Sequence, residues 1–277
     1  MCVASSIPEL TYVIRPQYPC RDPPSVTAIT SLGDDVFVLR WSVSQIEVYD
    51  ARTFALQRHI TIPGLGSKLS YGLAASIRYN CVYASDGSNR RIHRVDLSDS
   101  SAVKQWSVSH HPVGLSVNKE HNVVVACGGA HKLQEYTTHG TLVREISLQQ
   151  VGVSWPWHAV QLSTGDYVVS QWTSPGAVHV VGLDGQVVHS YDQSQASNVG
   201  PTSLAVTKND NILVADLGNN RILSLDSSLS SAHELVLPVD NAIRVPCGLF
   251  LDELRKRLYV GEIEGEKRVL VFDYVQL

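Results

Sequence analysis

The chain has 277 residues, 44% of them hydrophobic and 17% charged, with a net charge of −4. That is ample length for one large core-bearing domain. No apolar run reaches the roughly 18–20 residues of a membrane-spanning helix, and the start MCVASSIPEL lacks the basic and apolar regions of a secretory signal. The charge balance gives no general attraction to nucleic acid or anionic lipid, so neither DNA nor membrane is an expected partner. Five cysteines (Cys2, Cys20, Cys81, Cys127, Cys247) are scattered and form no C-x-x-C pair. This argues against a disulfide framework and a zinc ribbon, and predicts a reducing, cytoplasmic setting.

In chain order, the first apolar stretch is Leu10-Thr11-Tyr12-Val13-Ile14, which stands alone. Six segments then align: PSVTAIT at Pro24, SYGLAAS at Ser70, PVGLSVN at Pro112, PWHAVQL at Pro156, PTSLAVT at Pro201 and PCGLFLD at Pro246. The steps between them are 46, 42, 44, 45 and 45 residues. Each anchor is followed by a polar turn and a second apolar run: VFVLR, CVYAS, VVVAC, YVVSQ, ILVAD and LYVGE. A loop and a third run come next (QIEVYD, RIHRVDL, KLQEYT, AVHVVG, RILSLD, RVLVFD). Most repeats add a fourth stretch such as LQRHITI or VKQWSV. Short β-branched runs bounded by Gly, Asn, Asp and Ser are strand and turn chemistry. Four strands recurring at this interval predict an all-β, six-bladed β-propeller of four-stranded antiparallel blades. The sixth repeat stops after its third strand, at Val271-Phe272-Asp273-Tyr274, so residues 9–15 are expected to complete it and close the ring. The chain then reads as a single domain over 1–277, with blades starting near 24, 70, 112, 156, 201 and 246.

Ile212-Leu-Val-Ala-Asp216-Leu-Gly-Asn-Asn-Arg221-Ile222 resembles the NHL repeat: an apolar strand ending in Asp, a Gly/Asn loop, then Arg-Ile. Cys81-Val-Tyr-Ala-Ser-Asp86-Gly-Ser-Asn-Arg-Arg91-Ile92 resembles it nearly as well. The other four repeats depart from the pattern, with Arg40/Gln45, Cys127/Lys132, Gln171/Ala177 and Glu262/Arg268 near the Asp and Arg positions. The resemblance implies an interaction propeller like the C-terminal module of tripartite-motif ligases, which bind protein or single-stranded or hairpin RNA. Sibling propellers include metal-holding lyases and lactonases. No RING or B-box cluster is present in this chain, and fold alone does not choose among these functions.

The pairs Asp86/Arg91, Asp216/Arg221 and Glu262/Arg268 span the second-to-third-strand loops. Their recurrence in separate blades assigns them an architectural role, carboxylate to guanidinium. On the axis, at the starts of the inner strands, only His158 and Cys247 could ligate a metal, too few for a stable site. No G-x-S-x-G elbow or phosphate-loop fingerprint occurs. The expectation is therefore no catalytic residue, no metal and no cofactor, with Cys127 and Cys247 as small buried hydrophobes. The inter-blade connections and second-to-third-strand loops share one rim. There the expected binding residues are Trp41, Arg90, Arg91, Lys132, Trp155, Trp157, His158, Trp172, Asn219 and Asn220, accompanied by Arg40 and Lys68. Trp and Arg anchor protein interfaces, and aromatic faces also stack bases. A protein partner is the first expectation and RNA the alternative. The densest basic run, Arg255-Lys256-Arg257, falls in a first-to-second-strand turn and hence on the opposite face.

Overall fold

The computed structural model of the chain describes residues 8–17, 22–65, 70–99, 102–192, 200–235 and 243–274. The isolated first segment is β1 (Glu9–Ile14). The first repeat forms β2 (Val26–Leu32), β3 (Asp35–Arg40), β4 (Gln45–Asp50) and β5 (Leu56–Thr61). The second forms β6 (Leu73–Ser76), β7 (Cys81–Asp86), β8 (Arg91–Asp96) and β9 (Val103–Ser107), and the third β10 (Pro112–Val117), β11 (Val123–Cys127), β12 (Lys132–Tyr136) and β13 (Leu142–Ser147). The fourth contains β14 (Pro156–Gln161), β15 (Tyr167–Gln171), β16 (Ala177–Val181) and β17 (Val187–Asp192). The fifth contains β18 (Leu204–Val206), β19 (Ile212–Asp216), β20 (Arg221–Leu225) and β21 (Ala232–Glu234), and the sixth β22 (Pro246–Asp252), β23 (Arg257–Glu262) and β24 (Val269–Asp273).

Each repeat is a four-stranded antiparallel meander, and the last sheet runs β1-β24-β23-β22. The N-terminal strand therefore closes the sixth blade, with Glu9 opposite Asp273 and Ile14 opposite Val269. A blade is covered on both faces by its neighbours, so its middle strands read as unbroken apolar runs. β7 and β11 are buried at every position, whereas the outer strand β13 is exposed at all but Ile146 and Leu142–Glu145 face solvent.

Six hydrophobic clusters form the core, one at each joint between blades. Phe37, Ile46 and Val82 join blades 1 and 2, and Tyr83, Leu115 and Val125 join 2 and 3. Leu133, Val153 and Tyr167 join 3 and 4, and Val168, Val178 and Val214 join 4 and 5. Leu213, Leu258 and Phe272 join 5 and 6, and Ile14, Val38 and Val271 join 6 and 1. The last joint is built like the other five, which is what a closed ring requires.

Nearer the axis, short hydroxyl side chains tie each blade to the next. Thr27 Oγ1 donates to the Ser70 carbonyl (3.1 Å), Ser85 Oγ to Val113 (2.8 Å), Ser116 Oγ to Ala159 (2.7 Å) and Ser170 Oγ to Thr202 (2.5 Å). Thr202 Oγ1 reaches the Cys247 carbonyl at 3.3 Å, and Ser31 Oγ completes the circle on Asp252 Oδ2 at 3.0 Å. The first five of these bonds satisfy carbonyls that the sheet edges would otherwise leave open.

Blades this close leave no room for a side chain at one position of the inner strands. A Cβ on Gly72 would collide with the Val113 carbonyl oxygen, and one on Gly114 with the Trp157 carbonyl oxygen. These are backbone atoms, which cannot swing aside. Gly114→Ala is expected to cost about 1–3 kcal/mol through overpacking, read as a lower midpoint in chemical denaturation. Gly33→Ala, with open space around its Cβ position, carries only the penalty of its φ of +60° and serves as the contrast.

Of the basic run, Arg255 and Lys256 lie in the β22–β23 turn and Arg257 opens β23, and all three are ion-paired. Arg255 pairs with Asp34 (3.0 Å) and Asp252 (3.1 Å), Lys256 with Glu253 (3.6 Å), and Arg257 with Asp273 (2.9 Å). Arg257 also donates to the Ala51 carbonyl. The run stitches blade 6 to blade 1.

Candidate functional site

The ends of the second strands and the starts of the first strands share one face of the ring, here the upper face. The loops there repeat in backbone even where the sequence does not. The residue just before the third strand adopts a left-handed conformation in Arg90 (φ 53°), His131 (50°) and Asn220 (55°), as does Lys267 (52°) two residues before β24.

Ahead of that loop, each second strand ends in a polar or thiol residue: Arg40, Asp86, Cys127, Gln171, Asp216 and Glu262. Two of the three expected carboxylate–arginine pairs form. Asp216 Oδ2 receives Arg221 Nε at 2.7 Å and the Asn219 amide at 3.0 Å. Glu262 receives Arg268 through two nitrogens at 2.8 and 3.0 Å, and the Arg244 backbone N–H at 3.0 Å. The blade 2 pair differs. Asp86 takes the Asn89 amide at 2.8 Å and faces His93 Nε2 at 3.3 Å, while the Arg91 guanidinium turns out to Gln105 at 3.4 Å. The reason lies two residues into the third strand. That position is the buried His93 in blade 2 and the apolar Leu223 in blade 5, so only Asp86 has an imidazole beside it.

Arg40 is a clearer departure. It was expected on the rim and is instead fully buried, pairing with Glu47 through Nε at 2.9 Å to both carboxylate oxygens. Its Nη1 donates to the Pro24 and Lys267 carbonyls at 3.0 and 2.9 Å, joining the incoming connection, blade 1 and blade 6. Blade 1 thus keeps the ion pair with its charges exchanged and the acid moved to another strand.

Trp41, Trp155 and Trp172 are exposed at 47%, 37% and 36%. Trp157 is half-buried and packs between Tyr71 (ring centroids 4.9 Å) and Trp172 (5.1 Å). The Tyr71 hydroxyl is pushed up mainly by burial, with Cys247 adding to the rise and the adjacent Trp41 indole opposing it. Trp41, Tyr71, Trp157 and Trp172 therefore form one continuous aromatic arc drawn from blades 1, 2 and 4. Trp155 holds a left-handed φ of 45°, a costly conformation for a bulky residue. Its ring lies over Gly128 and Gly129, where any Cβ would press on it at 3.2 and 3.1 Å.

The remaining rim residues divide. Arg90 is exposed, whereas Lys132 is held by Glu145 at 2.7 Å. Asn219 holds Asp216, and Asn220 Oδ1 accepts the Val245 N–H at 2.7 Å, so both asparagines are loop fasteners. Lys68 lies outside the described residues. Cys127 and Cys247 are buried, and burial pushes both thiols up to about 12, far from thiolate formation at neutral pH.

His158 sits below the rim, inside the ring. Its Nδ1 accepts the Leu204 N–H of blade 5 at 3.0 Å and its Nε2 faces the Leu115 carbonyl of blade 3 at 3.0 Å. The first bond requires the Nε2–H tautomer, which then donates to Leu115. One face borders the channel, yet burial pulls the imidazole down to about 4. The folded pKa lies below the unfolded value, so the unfolded chain takes up its proton first. Stability from this group is complete above about pH 6.5, is lost as pH falls toward 4, and amounts to about 3 kcal/mol. His93, His111 and His179 are lowered in the same direction by burial. His158→Gln should flatten its share of the slope in denaturation curves recorded from pH 7 to 4. An unchanged slope would remove His158 from that role.

Among the described residues no three His, Cys, Asp or Glu side chains converge as a metal-binding group. Sequence reasoning did not find Tyr71, Glu47 or His93. Tyr71 stands at an anchor position of its repeat, which is the signal that could have found it.

Residues 199–223, covering the fifth repeat up to its third strand, match the NHL-repeat family model. No curated protein matches the chain. Similar solved structures include hydrazine synthase of Kuenenia stuttgartiensis (TM-score 0.70, 19% identity, covering 95% of this chain and 80% of that one). Virginiamycin B lyase from Staphylococcus aureus, solved with quinupristin, gives 0.70 at 12% identity over 95% and 99% of the two chains. The WD40 propeller domain of Doa1 gives 0.68 at 10% identity over 96% and 97%. At these identities the likeness is one of fold: a six-bladed β-propeller carrying an NHL repeat, an architecture shared by enzymes and interaction domains.

Proposed function

We propose that the chain is a non-enzymatic interaction module that binds a protein partner through its upper face. The observation carrying this reading is the set of exposed Trp41, Trp155 and Trp172 on one face, Trp41 and Trp172 flanking the Tyr71–Trp157 contact and Trp155 lying over Gly128 and Gly129. Rigid exposed tryptophans are the residues that dominate protein interfaces. The Trp41–Tyr71–Trp157–Trp172 arc joins aromatic rings on one face, and clustered exposed apolar side chains of this kind mark interaction sites. The non-enzymatic part rests on His158, whose two nitrogens are committed to backbone groups, and on the unreactive Cys127 and Cys247 thiols. The buried free thiols of Cys81, Cys127 and Cys247 suit a cytoplasmic setting.

RNA on the same face is the competing reading. Phosphate binding needs unpaired cations. Arg90 and Arg244 are exposed, but Lys132 is held by Glu145 and Lys267 by Asp22 at 2.5 Å. The test has two arms. Partner capture from cell extract is expected to yield a stoichiometric protein with the wild-type chain and at least about ten-fold less with Trp41→Ala/Trp172→Ala, given hot-spot losses of about 2 kcal/mol or more. A randomised single-stranded RNA pool is expected to show no saturable binding. Saturable binding that weakens with salt and with Arg90→Ala/Arg91→Ala would replace the protein reading with the RNA one.

A further inference from the structure

The innermost strands β2, β6, β10, β14, β18 and β22 enclose an axial channel of about 230 Å³. Among the described residues its wall contains no Asp, Glu, Lys or Arg. Of its ionisable groups near the upper end, His158 and Cys247 are held neutral by burial, and burial likewise pushes the Tyr71 hydroxyl up. The hydroxyls of Thr27, Ser116 and Ser203 are engaged with main-chain carbonyls of the next blade. Each inner strand is the edge of its sheet, so peptide groups as well as apolar side chains border the space. Such a wall offers hydrogen bonds but no countercharge, and an ion entering it would lose hydration without an opposite partner. A flat neutral molecule loses little, and the Tyr71 and Trp157 rings that border the channel provide faces to stack on.

We propose that the axial channel is a binding site for one uncharged, ring-bearing small molecule with polar atoms on its edge. A cavity of about 150 Å³ takes up benzene, so this channel has room for a bicyclic ring such as indole. The channel shares Tyr71 and Trp157 with the aromatic arc, but a ligand in the channel and a partner on the exposed Trp41, Trp155 and Trp172 are read by separate experiments, so either reading can fail without the other.

The test uses 6-fluoroindole as probe, with 6-fluoroindole-3-carboxylate as its charged twin, followed by fluorine NMR on the purified chain. The neutral probe is expected to bind saturably and the carboxylate at least about ten-fold more weakly. Ala75→Leu and Val206→Phe, which add bulk to the channel wall, should each weaken the neutral probe by a similar factor. Leu142→Ala, exposed on the outer strand β13 and away from the wall, should leave it unchanged. Overhauser contacts from the bound probe to the Tyr71 and Trp157 ring protons give a readout that needs no variant. Equal binding of the two probes, saturable binding without those contacts, or no saturation by the neutral probe in the wild-type chain would each overturn the proposal.

Discussion

Glu47→Ala is expected to lower the unfolding free energy by about 3–5 kcal/mol, the usual penalty for stranding one partner of a buried ion pair. The side chains of Arg40 and Glu47 are 1% and 3% exposed, so no solvent is at hand to replace the lost carboxylate. The Arg40 guanidinium would keep its carbonyl contacts to Pro24 and Lys267. Removing Glu47 takes away the carboxylate that both of the Arg40 Nε contacts engage, and Tyr49, whose hydroxyl donates to Glu47 at 2.9 Å, would lose its acceptor as well. The double variant Arg40→Met/Glu47→Leu removes both charges and fills similar volume. It is expected to recover most of the loss, because buried pairs are often replaceable by apolar residues. Urea denaturation of the three proteins measures both numbers. Equal losses in the single and double variants would show that packing, rather than charge compensation, sets the cost.

Removal of residues through Ile14 is the other large effect. The deletion takes away the pairing of β1 with β24, the buried Ile14 and the stack of Tyr12 on Phe54 at 4.6 Å. It leaves Val269–Asp273 as an unpaired edge, a template for self-association. Loss of Leu10, Val13 and Ile14 from their clusters forfeits on the order of 5 kcal/mol at about 1.5–3 kcal/mol for a fully buried side chain, comparable with the whole stability of many domains. The truncated chain is expected to oligomerise on size-exclusion chromatography and to lose a single cooperative transition. A peptide spanning residues 8–16, added in trans, should restore the monomer by strand complementation. A truncated chain that stays monomeric with an unchanged midpoint would contradict the closure.

Much of this architecture is legible in the sequence because a propeller joint is a local, repeated solution. An anchor every 42–46 residues, apolar middle strands and turn residues between them fix the blade count. The broken sixth repeat and the lone segment at Leu10–Ile14 fix the closure. The upper-face tryptophans were legible for the same reason, since strand ends of one type share one side of the ring. What the sequence did not disclose are pairings that depend on neighbouring positions rather than on the motif itself. Asp86 and Asp216 occupy the same place in two intact motifs, yet His93 against Leu223 two residues into the next strand decides whether the arginine is drawn in. Arg40 looked like a motif position that had lost its acid. The acid, Glu47, had moved across the β3–β4 loop. His158 read as a rim residue, but its partners, Leu115 and Leu204, belong to two other blades. Conversely, Arg90, His131, Asn220 and Lys267 share a left-handed conformation that no common residue type announces.

The most direct test of the upper face as the interaction surface is hydroxyl-radical footprinting of the purified chain with and without its captured protein partner. The expected result is protection of Trp41, Trp155 and Trp172, with Ile77 and Leu254 unchanged. Those two are 78% and 87% exposed in first-to-second-strand turns and so mark the opposite face. Protection of Ile77 and Leu254 with the three tryptophans still oxidised would place the partner on the other side of the ring and contradict the assignment.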